Sequence, residues 1–397
     1  MPYPKQLKIK VSSLLLFLGI VHYTNGQTAN VKEAELLAVL RHKDSLVDAV
    51  LSDMPGYRFQ LAMSLKKNET ITNTIQLGQA QYFYPASLVK LPLALMTLEK
   101  IKRLNLDLNH SIQLGAYAPC KYDGFVKLGQ QQTITFRQLL EELLVVSDNN
   151  HYNTLFHFIT PKEINKALKE KGFTDSYIYK SFEGCELDQQ LHCGEILVKN
   201  TENKVVFRQE ASSLDTNLMM QSFPYSEKRL VGSKRYENRK IIKEPIDFNY
   251  TNDLSLLDIH ILIESLFEND KVVELWDILP KHKEFLLTCM QKFPREMIQS
   301  YHPNYKEIED NKFKYFRIGE SPIDSNNKRT FSKIAYSYGF TTETAFIPYN
   351  EKEGLFLSMT IYTNENGILN DGKYEYDEIA RPVFSRIANL LYTYFRP

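Results

Sequence analysis

This sequence lacks an excess of charge of either sign: 48 Lys and Arg residues balance 48 Asp and Glu residues in a chain of 397 residues. Nucleic-acid-binding proteins usually present a basic surplus, so the composition gives no support for a nucleic-acid partner. We find no internal repeat and no low-complexity segment. With 43% hydrophobic residues, the chain is long enough to bury a sizeable core, as a globular protein does.

Cysteine is scarce, with four residues in the chain. Cys185 and Cys193 are close enough in sequence to close a short disulfide loop in an oxidising compartment, and the sequence leaves that pairing open. No C-x-x-C or H-E-x-x-H motif is present, and the acidic cluster at residues 364–377 lacks the spacing of a calcium-binding loop. We therefore expect no metal and no cofactor.

A long hydrophobic run is also missing. At the N terminus, three lysines precede a mostly apolar stretch, residues 11–21, which is too short to span a bilayer. Small residues before Gln27 are typical of a cleavable signal peptide over residues 1–26, and no cysteine follows closely that could accept a lipid. We expect a secreted or periplasmic protein, monomeric and without a membrane span in the mature chain.

Among the residues that are present, Lys90 is the one charged residue between Pro85 and Leu98. The apolar run predicts a buried helix, in which a lysine needs a partner or gives up its proton. Ser87 lies three residues earlier, on the same helix face. Lys90 could accept the Ser87 proton as Ser87 attacks an acyl carbon, while the N–H of Ser87 helps to stabilise the oxyanion.

An ordinary interpretation of the same residues is that Lys90 extends to solvent from a helix end and Ser87 caps the helix. The S-x-x-K spacing by itself has little weight, because Ser64 and Ser325 begin further copies. The apolar surroundings distinguish the copy at Ser87.

A second motif, Ser147-Asp148-Asn149, follows an amphipathic stretch over residues 136–146 and falls at a helix end or on the next loop. Ser147 could relay a proton to the leaving group, and Asn149 could form a hydrogen bond with a substrate amide. The alternative is a common polar turn after a helix.

Taken together, S-x-x-K at Ser87 and S-D-N at Ser147 resemble the motifs of class A β-lactamases and of their relatives among the penicillin-binding proteins and other secreted serine hydrolases. The resemblance implies an α+β fold, a three-layer α/β/α arrangement. It has a five-stranded antiparallel sheet from both chain ends, an inserted helical subdomain, and an active site at their junction. We predict the sheet-plus-helix subdomain over residues 27–85 and 330–397, and the helical subdomain over residues 86–329.

The hydrophobic periodicity agrees with this layout. Before Ser87 it predicts one helix and two strands, and near the C terminus three strands and a closing helix. Two helices are the clearest elements between the chain ends. The predicted helices are residues 31–50, 255–267, 272–293 and 377–394, and the predicted strands are residues 57–65, 70–77, 330–336, 344–348 and 355–362.

The resemblance implies a third motif, K-[ST]-G, and Lys333-Ile334-Ala335 occupies its place. Lys333 would hold a substrate carboxylate or tune Ser147. Ile334 lacks the hydroxyl group of the family motif, and Ala335 adds a methyl group where glycine lets substrate lie close to the backbone. Two alternatives stay open: a second register, Ser337-Tyr338-Gly339, and an exposed strand lysine with no role.

For release of an acyl-enzyme, the resemblance implies a glutamate beyond S-D-N that activates water. Glu183 is near the implied position and Glu186 is its rival. Either residue could equally be a solvated loop acid.

The segment between Ser147 and Lys333 is longer than in compact family members, which indicates an insertion at about residues 193–243. We predict a hairpin formed by residues 195–198 and 205–207, followed by a polar, basic loop over residues 225–243. Such an insertion could reshape the substrate cleft.

The leading expectation is therefore a secreted serine hydrolase that opens β-lactams through an acyl-enzyme on Ser87, with a small β-lactam or peptidoglycan-like molecule as substrate. Its rivals are a D-alanyl-type peptidase or other serine acyl hydrolase, and a catalytically retired binding protein on the same fold.

Overall fold

The computed structural model describes residues 28–68, 70–115, 134–182, 191–215, 229–268, 275–298, 304–316 and 329–397. The signal peptide at residues 1–26 lies outside these ranges and stays a prediction. The helices of the described part are α1 Thr28–Leu40, α2 Ser45–Ser52, α3 Lys90–Arg103, α4 Phe136–Val145, α5 Asn149–Ile159, α6 Pro161–Glu170, α7 Leu256–Ser265, α8 Pro280–Gln291 and α9 Arg381–Phe395. The strands are β1 Gln60–Lys67, β2 Thr70–Ile71, β3 Ile75–Leu77, β4 Ser111–Leu114, β5 Ile134–Thr135, β6 His192–Cys193, β7 Ile196–Lys199, β8 Val205–Gln209, β9 Ser212–Ser213, β10 Leu230–Val231, β11 Lys234–Glu237, β12 Lys240–Ile242, β13 Ile246–Asp247, β14 Phe331–Ser337, β15 Phe340–Pro348, β16 Gly354–Tyr362 and β17 Ile368–Leu369.

The main sheet combines strands from the two ends of the chain. Its order is β14-β15-β16-β1, and β2 and β3 share the fifth position because each pairs with a different part of β1. All of these pairs are antiparallel. The sheet is the five-stranded antiparallel sheet that the resemblance implies, and β14 forms one of its edges.

Helices cover both faces of the sheet, so its central strands are buried on both sides. On one face α9 packs on β16 and contacts α1 and α2, and on the other face α7 packs on β1, β15 and β16. Side chains alternate between the two cores: Leu61 and Met63 join the α9 side, and Ala62 joins the α7 side. The expected α+β fold with three layers is confirmed.

The helical region beside the sheet is built on α3, which packs against both α4 and α5. It also contains a four-stranded sheet of order β5-β4-β7-β8. The predicted hairpin corresponds to β7 and β8, and the structure joins it to β4 over Ser111–Leu114. The sequence analysis missed β4 because a strand of four residues gives too short an alternation to recognise. Among the described helices, none is both long and apolar enough to cross a bilayer.

Two of the predicted helices are interrupted. The helix predicted over residues 31–50 is two helices, because the chain turns at His42 (φ +59°) and the Asp44 side chain caps α2 by accepting hydrogen bonds from Leu46 and Val47. In the predicted helix 272–293, residues 276–279 are not helical and α8 begins at Pro280. Proline restricts the residue before it and is favoured at the first helical position.

The loop predicted over residues 225–243 is wrong in its described part, which contains β10, β11 and β12. β11 and β12 form a hairpin in which Tyr236 lies opposite Ile241. Its two turn residues, Asn238 and Arg239, both have positive φ values of 50° and 63°, as a two-residue turn of the I′ type requires. The abundance of basic residues had obscured the strand-forming Ile241 and Ile242.

Candidate active site

Ser87 lies in a 3-10 helix, Ala86–Val89, that leads directly into α3. Ala86 has φ of +43°, a strained conformation for a residue with a side chain, of the kind that structures retain at functional positions. The turn packs against β14. Ser87 makes no capping hydrogen bond in this helix, so the helix-cap interpretation of Ser87 is wrong.

The Lys90 side chain is completely buried. Its Nζ donates to Ser87 Oγ at 3.0 Å, to Asn149 Oδ1 at 2.7 Å and to Ser147 Oγ at 3.2 Å, and it also donates to the Ser147 carbonyl oxygen. Burial, together with the positive charge of Lys333, lowers the pKa of Lys90 well below its usual value, against the opposing effect of Asp148. A lysine at 0% exposure does not extend to solvent, so the snorkelling alternative is also wrong.

The S-D-N residues form the turn between α4 and α5. Ser147 has φ of +59°, and this left-handed turn directs its carbonyl and hydroxyl groups to Lys90. Asp148 caps α5 by accepting the His151 N–H at 2.9 Å, and Asn149 is the first residue of that helix. One short turn therefore brings Ser147 and Asn149 to the lysine of the first motif.

Asp148 also belongs to a group with Glu142 and His151. Their potential ligand atoms lie within 4.8 Å of one another, and His151 Nδ1 is 3.1 Å from Asp148 and 3.6 Å from Glu142. Burial raises the pKa of Asp148, but hydrogen bonds from His151 and the charges of His151 and Lys90 outweigh this effect and lower it to about 2. These three are the described residues that could hold a metal ion. Their contacts also form a charge network behind the S-D-N turn.

Lys333 approaches Ser147 from β14. Its Nζ donates to Ser147 Oγ at 2.9 Å and to the carbonyl oxygen of Ile334 at 3.0 Å. Burial, and next the charge of Lys314, lower the pKa of Lys333 to about 7, while Glu343 acts in the opposite direction. Lys333 is 2% exposed, so the interpretation as an exposed strand lysine is wrong.

The other residues of the third motif divide between the two faces of β14. Ala335 belongs to the same core as Ala86, the residue before Ser87, whereas Ile334 packs in the core on the α9 side. The hydroxyl group that Ile334 lacks, compared with the family motif, would therefore lie on the face of β14 that points away from Ser147. In the rival register, Tyr338 and Gly339 form the turn between β14 and β15, both with positive φ, so the glycine there serves the turn.

The model of the Beta-lactamase2 family, described as the beta-lactamase enzyme family, matches residues 45–221. Over these residues the chain is similar to the β-lactamase enzyme family. No curated protein matches it significantly.

Solved structures with this β-lactamase-like fold include a β-lactamase from Chitinophaga pinensis, with a TM-score of 0.50 at 15% identity over 92% of this chain and 98% of that chain. A β-lactamase from Sphaerobacter thermophilus aligns with a TM-score of 0.51 at 13% identity, covering 90% of this chain and 95% of that one. A mutant of PBP-A in an acyl-enzyme complex with penicillin-G has a TM-score of 0.50 at 11% identity, covering 92% and 96% of the two chains. At such identities the likeness establishes the fold.

Two predicted site residues are not placed. Glu183 and Glu186 lie outside the described residues, as does Cys185, so the deacylation base and the Cys185–Cys193 pairing stay predictions. The last residue described before Glu183 is Phe182, whose N–H donates to Asn153 Oδ1 at 2.7 Å and whose ring centre is 5.2 Å from Lys90 Nζ.

The sequence analysis missed two buried charged residues, Glu343 and Lys314, whose charges act on Lys333. Glu343 of β15 accepts hydrogen bonds from the N–H groups of Tyr315 (2.8 Å) and Phe316 (2.7 Å). Lys314 donates to Met290 O at 2.7 Å and to Ser332 Oγ at 3.2 Å. Burial raises the pKa of Glu343 and lowers that of Lys314. The signal used for Lys90, a single charged residue inside an apolar run, is missing at both positions, because Lys314 has Lys312 and Arg317 nearby and Glu343 lies among threonines.

Proposed function

We propose that this chain is a serine hydrolase of the class A β-lactamase type, which opens β-lactams through an acyl-enzyme on Ser87. The observation that supports this most directly is the contact of Lys90 with both Ser87 and Ser147. A buried lysine with a lowered pKa can be a neutral amine at physiological pH, and a neutral amine can accept a proton. Its 3.0 Å distance to Ser87 Oγ suits that transfer.

In the proposed acylation step, Lys90 takes the Ser87 proton while Ser87 Oγ forms a bond to the lactam carbonyl carbon. The C–N bond of the ring then breaks, and Ser147 donates its proton to the leaving nitrogen and recovers one from the protonated Lys90. The 3.2 Å contact between Lys90 Nζ and Ser147 Oγ provides the route. The Ser87 N–H, in the first turn of its helix, is the oxyanion donor that we assign.

Substrate binding is assigned to Lys333, Asn149 and the edge of β14 near Ala335. Lys333 as an ammonium would attract the carboxylate that β-lactams bear, and it already donates to Ser147 at 2.9 Å. Asn149 would hydrogen-bond a substrate amide through its NH₂ group, since its Oδ1 accepts from Lys90. No group in this scheme requires a cofactor.

For deacylation we propose Glu183 as the base that activates water, with Glu186 as the alternative. A second function, a D-alanyl-type peptidase that releases β-lactams slowly, is favoured by one observation. In the third motif, Ile334 and Ala335 stand where the family has a hydroxyl-bearing residue and a glycine. The two functions differ in how long the Ser87 adduct lasts.

The test combines a penicillin and a chromogenic cephalosporin with residues 27–397 and follows absorbance and intact mass. Ser87→Ala is compared with Ser52→Ala, which removes an exposed hydroxyl on α2. We expect turnover that disappears in Ser87→Ala and persists in Ser52→Ala. Glu183→Gln should then accumulate the adduct. A stable adduct in the unmodified protein would instead support the peptidase.

Full turnover by Ser87→Ala would contradict the proposal. Failure of Ser87 to react with any β-lactam or with a fluorophosphonate would favour a binding protein on the same fold.

We also propose that the protein is exported as a monomer after cleavage before Gln27. N-terminal sequencing of protein from the producing cells and its mass by light scattering test this. An intact Met1, or a stable dimer, would contradict it.

A further inference from the structure

A pocket of about 570 Å³ lies where β14 begins and β15 ends, between the sheet and helix α8. None of the predicted site residues lines it. Its volume falls in the range of small-molecule sites. The residues that line it come from separate parts of the chain, including the end of β1 at Lys66, α8 at Lys283 and Leu287, and β14 at Phe331.

The inner wall of the pocket is aromatic. The Phe267 ring centre is 4.2 Å from that of Phe346 and 5.0 Å from that of Phe331, and all three rings line the cavity. Phe267 and Phe331 are half-buried, so part of each ring faces the cavity. Such a wall favours an apolar ligand group, because contact removes aromatic and aliphatic surface from water.

Two lysines lie beside this wall and have no acidic partner among the described residues. Lys66 Nζ donates to the carbonyl oxygen of Phe267 at 3.0 Å, and Lys283 is half-buried. Burial, and then the charge of Lys66, lower the pKa of Lys283, which indicates that the two ammonium groups repel each other. In the described part of the chain, no carboxylate forms an ion pair with either lysine.

The other charged residues of the lining do not change this balance. Arg329 is neutralised by Glu296, with two contacts of 2.7 Å. Glu351 is exposed at the rim. The unbalanced charge inside the pocket is therefore positive and belongs to Lys66 and Lys283.

We propose that this pocket binds a small apolar monocarboxylate, with its hydrocarbon part against Phe267, Phe331 and Phe346 and its carboxylate between Lys66 and Lys283. An anion there would relieve the repulsion between the two lysines and form charge-assisted hydrogen bonds with both. The proposal is independent of the chemistry at Ser87, because the two sites share no residue.

The experiment measures binding of decanoate and of decanol, its uncharged counterpart of the same chain length, by calorimetry. The full mature chain is compared with the double variant Lys66→Gln/Lys283→Gln. The control is Lys281→Gln, an exposed lysine on the same helix that does not line the pocket. We expect decanoate to bind more tightly than decanol, and the double variant to lose about tenfold in decanoate affinity with decanol binding and melting temperature unchanged.

Equal affinities for decanoate and decanol, or an unchanged decanoate affinity in the double variant, would overturn the proposal. The latter result would also reveal binding elsewhere, for example at Lys333. Absence of decanoate binding would overturn it as well.

Discussion

The low pKa of the buried Lys333 makes a prediction about protein stability that does not depend on any substrate. Its folded value of about 7 is below the usual value of 10.5, so between these two values the unfolded chain binds more protons than the folded chain. Stability must therefore rise with pH across this window. For one group with these values, the rise between pH 7 and pH 9 is about 2 kcal/mol.

The substitution Lys333→Met removes this titration, and Lys352→Met, an exposed lysine in the turn after β15, serves as the control. Urea unfolding at several values between pH 6 and pH 9 gives the free energy of unfolding of each protein. We expect the stability of the unmodified protein and of Lys352→Met to gain about 2 kcal/mol relative to Lys333→Met from pH 7 to pH 9. The loss of the contact with Ser147 changes the offset between the curves. Parallel curves for Lys333→Met and the unmodified protein would refute the reasoning.

Three further predictions concern other residues of the chain. Lys90→Met should slow acylation of Ser87 by about 10²- to 10⁴-fold, the usual effect of general acid–base catalysis. Rapid-mixing experiments with intact-mass detection measure this rate. An acylation rate within about threefold of that of the unmodified protein would exclude Lys90 as the base. Glu343→Gln keeps an acceptor for the N–H groups of Tyr315 and Phe316 but removes the negative charge that raises the pKa of Lys333. Lys333 should then lose its charge at a lower pH, so carboxylate-bearing substrates should begin to bind more weakly at a lower pH. An unchanged pH profile of kcat/KM would contradict this. Asn252→Ala removes the hydrogen bonds that the buried Asn252 side chain forms with Tyr179 and Lys180. Urea titrations should show that it lowers the free energy of unfolding by about 2 kcal/mol or more. A loss no larger than that of the control Asn366→Ala, at an exposed position, would contradict this.

The sequence predicted the parts of the site whose residues are unusual for their surroundings. Lys90 stood out because an ammonium in an apolar helix is costly to bury, and the three motifs were assembled from their order along the chain. Lys314 and Glu343 were missed, because their sequence neighbours are charged or polar and no motif directed attention to them. Their partnership depends on β15 lying beside residues 314–316, and such a tertiary contact has no sequence pattern.

The strands β1, β14, β15 and β16 of the main sheet were predictable because they are long and buried, whereas the strand predicted over residues 70–77 is divided into the short strands β2 and β3. β4, β11 and β12 were missed for the opposite reason, since short strands are stabilised by their neighbours more than by their own alternation. The breaks at His42 and Pro280 were visible in principle. Asp44 could have been recognised as a helix cap and Pro280 as a first helical residue, but the apolar periodicity continued past both.

The proposed mechanism places opposite requirements on the two lysines around Ser147. Lys90 must be neutral to act as a base, whereas Lys333 must be charged to hold a carboxylate. Two ammonium groups that contact one hydroxyl group repel each other, so the pair of lysines favours a state in which only one of the two amines is protonated. Glu343 raises the pKa of Lys333, while the charge of Lys333 lowers that of Lys90. The shared proton therefore resides preferentially on Lys333, which leaves Lys90 able to accept the proton of Ser87.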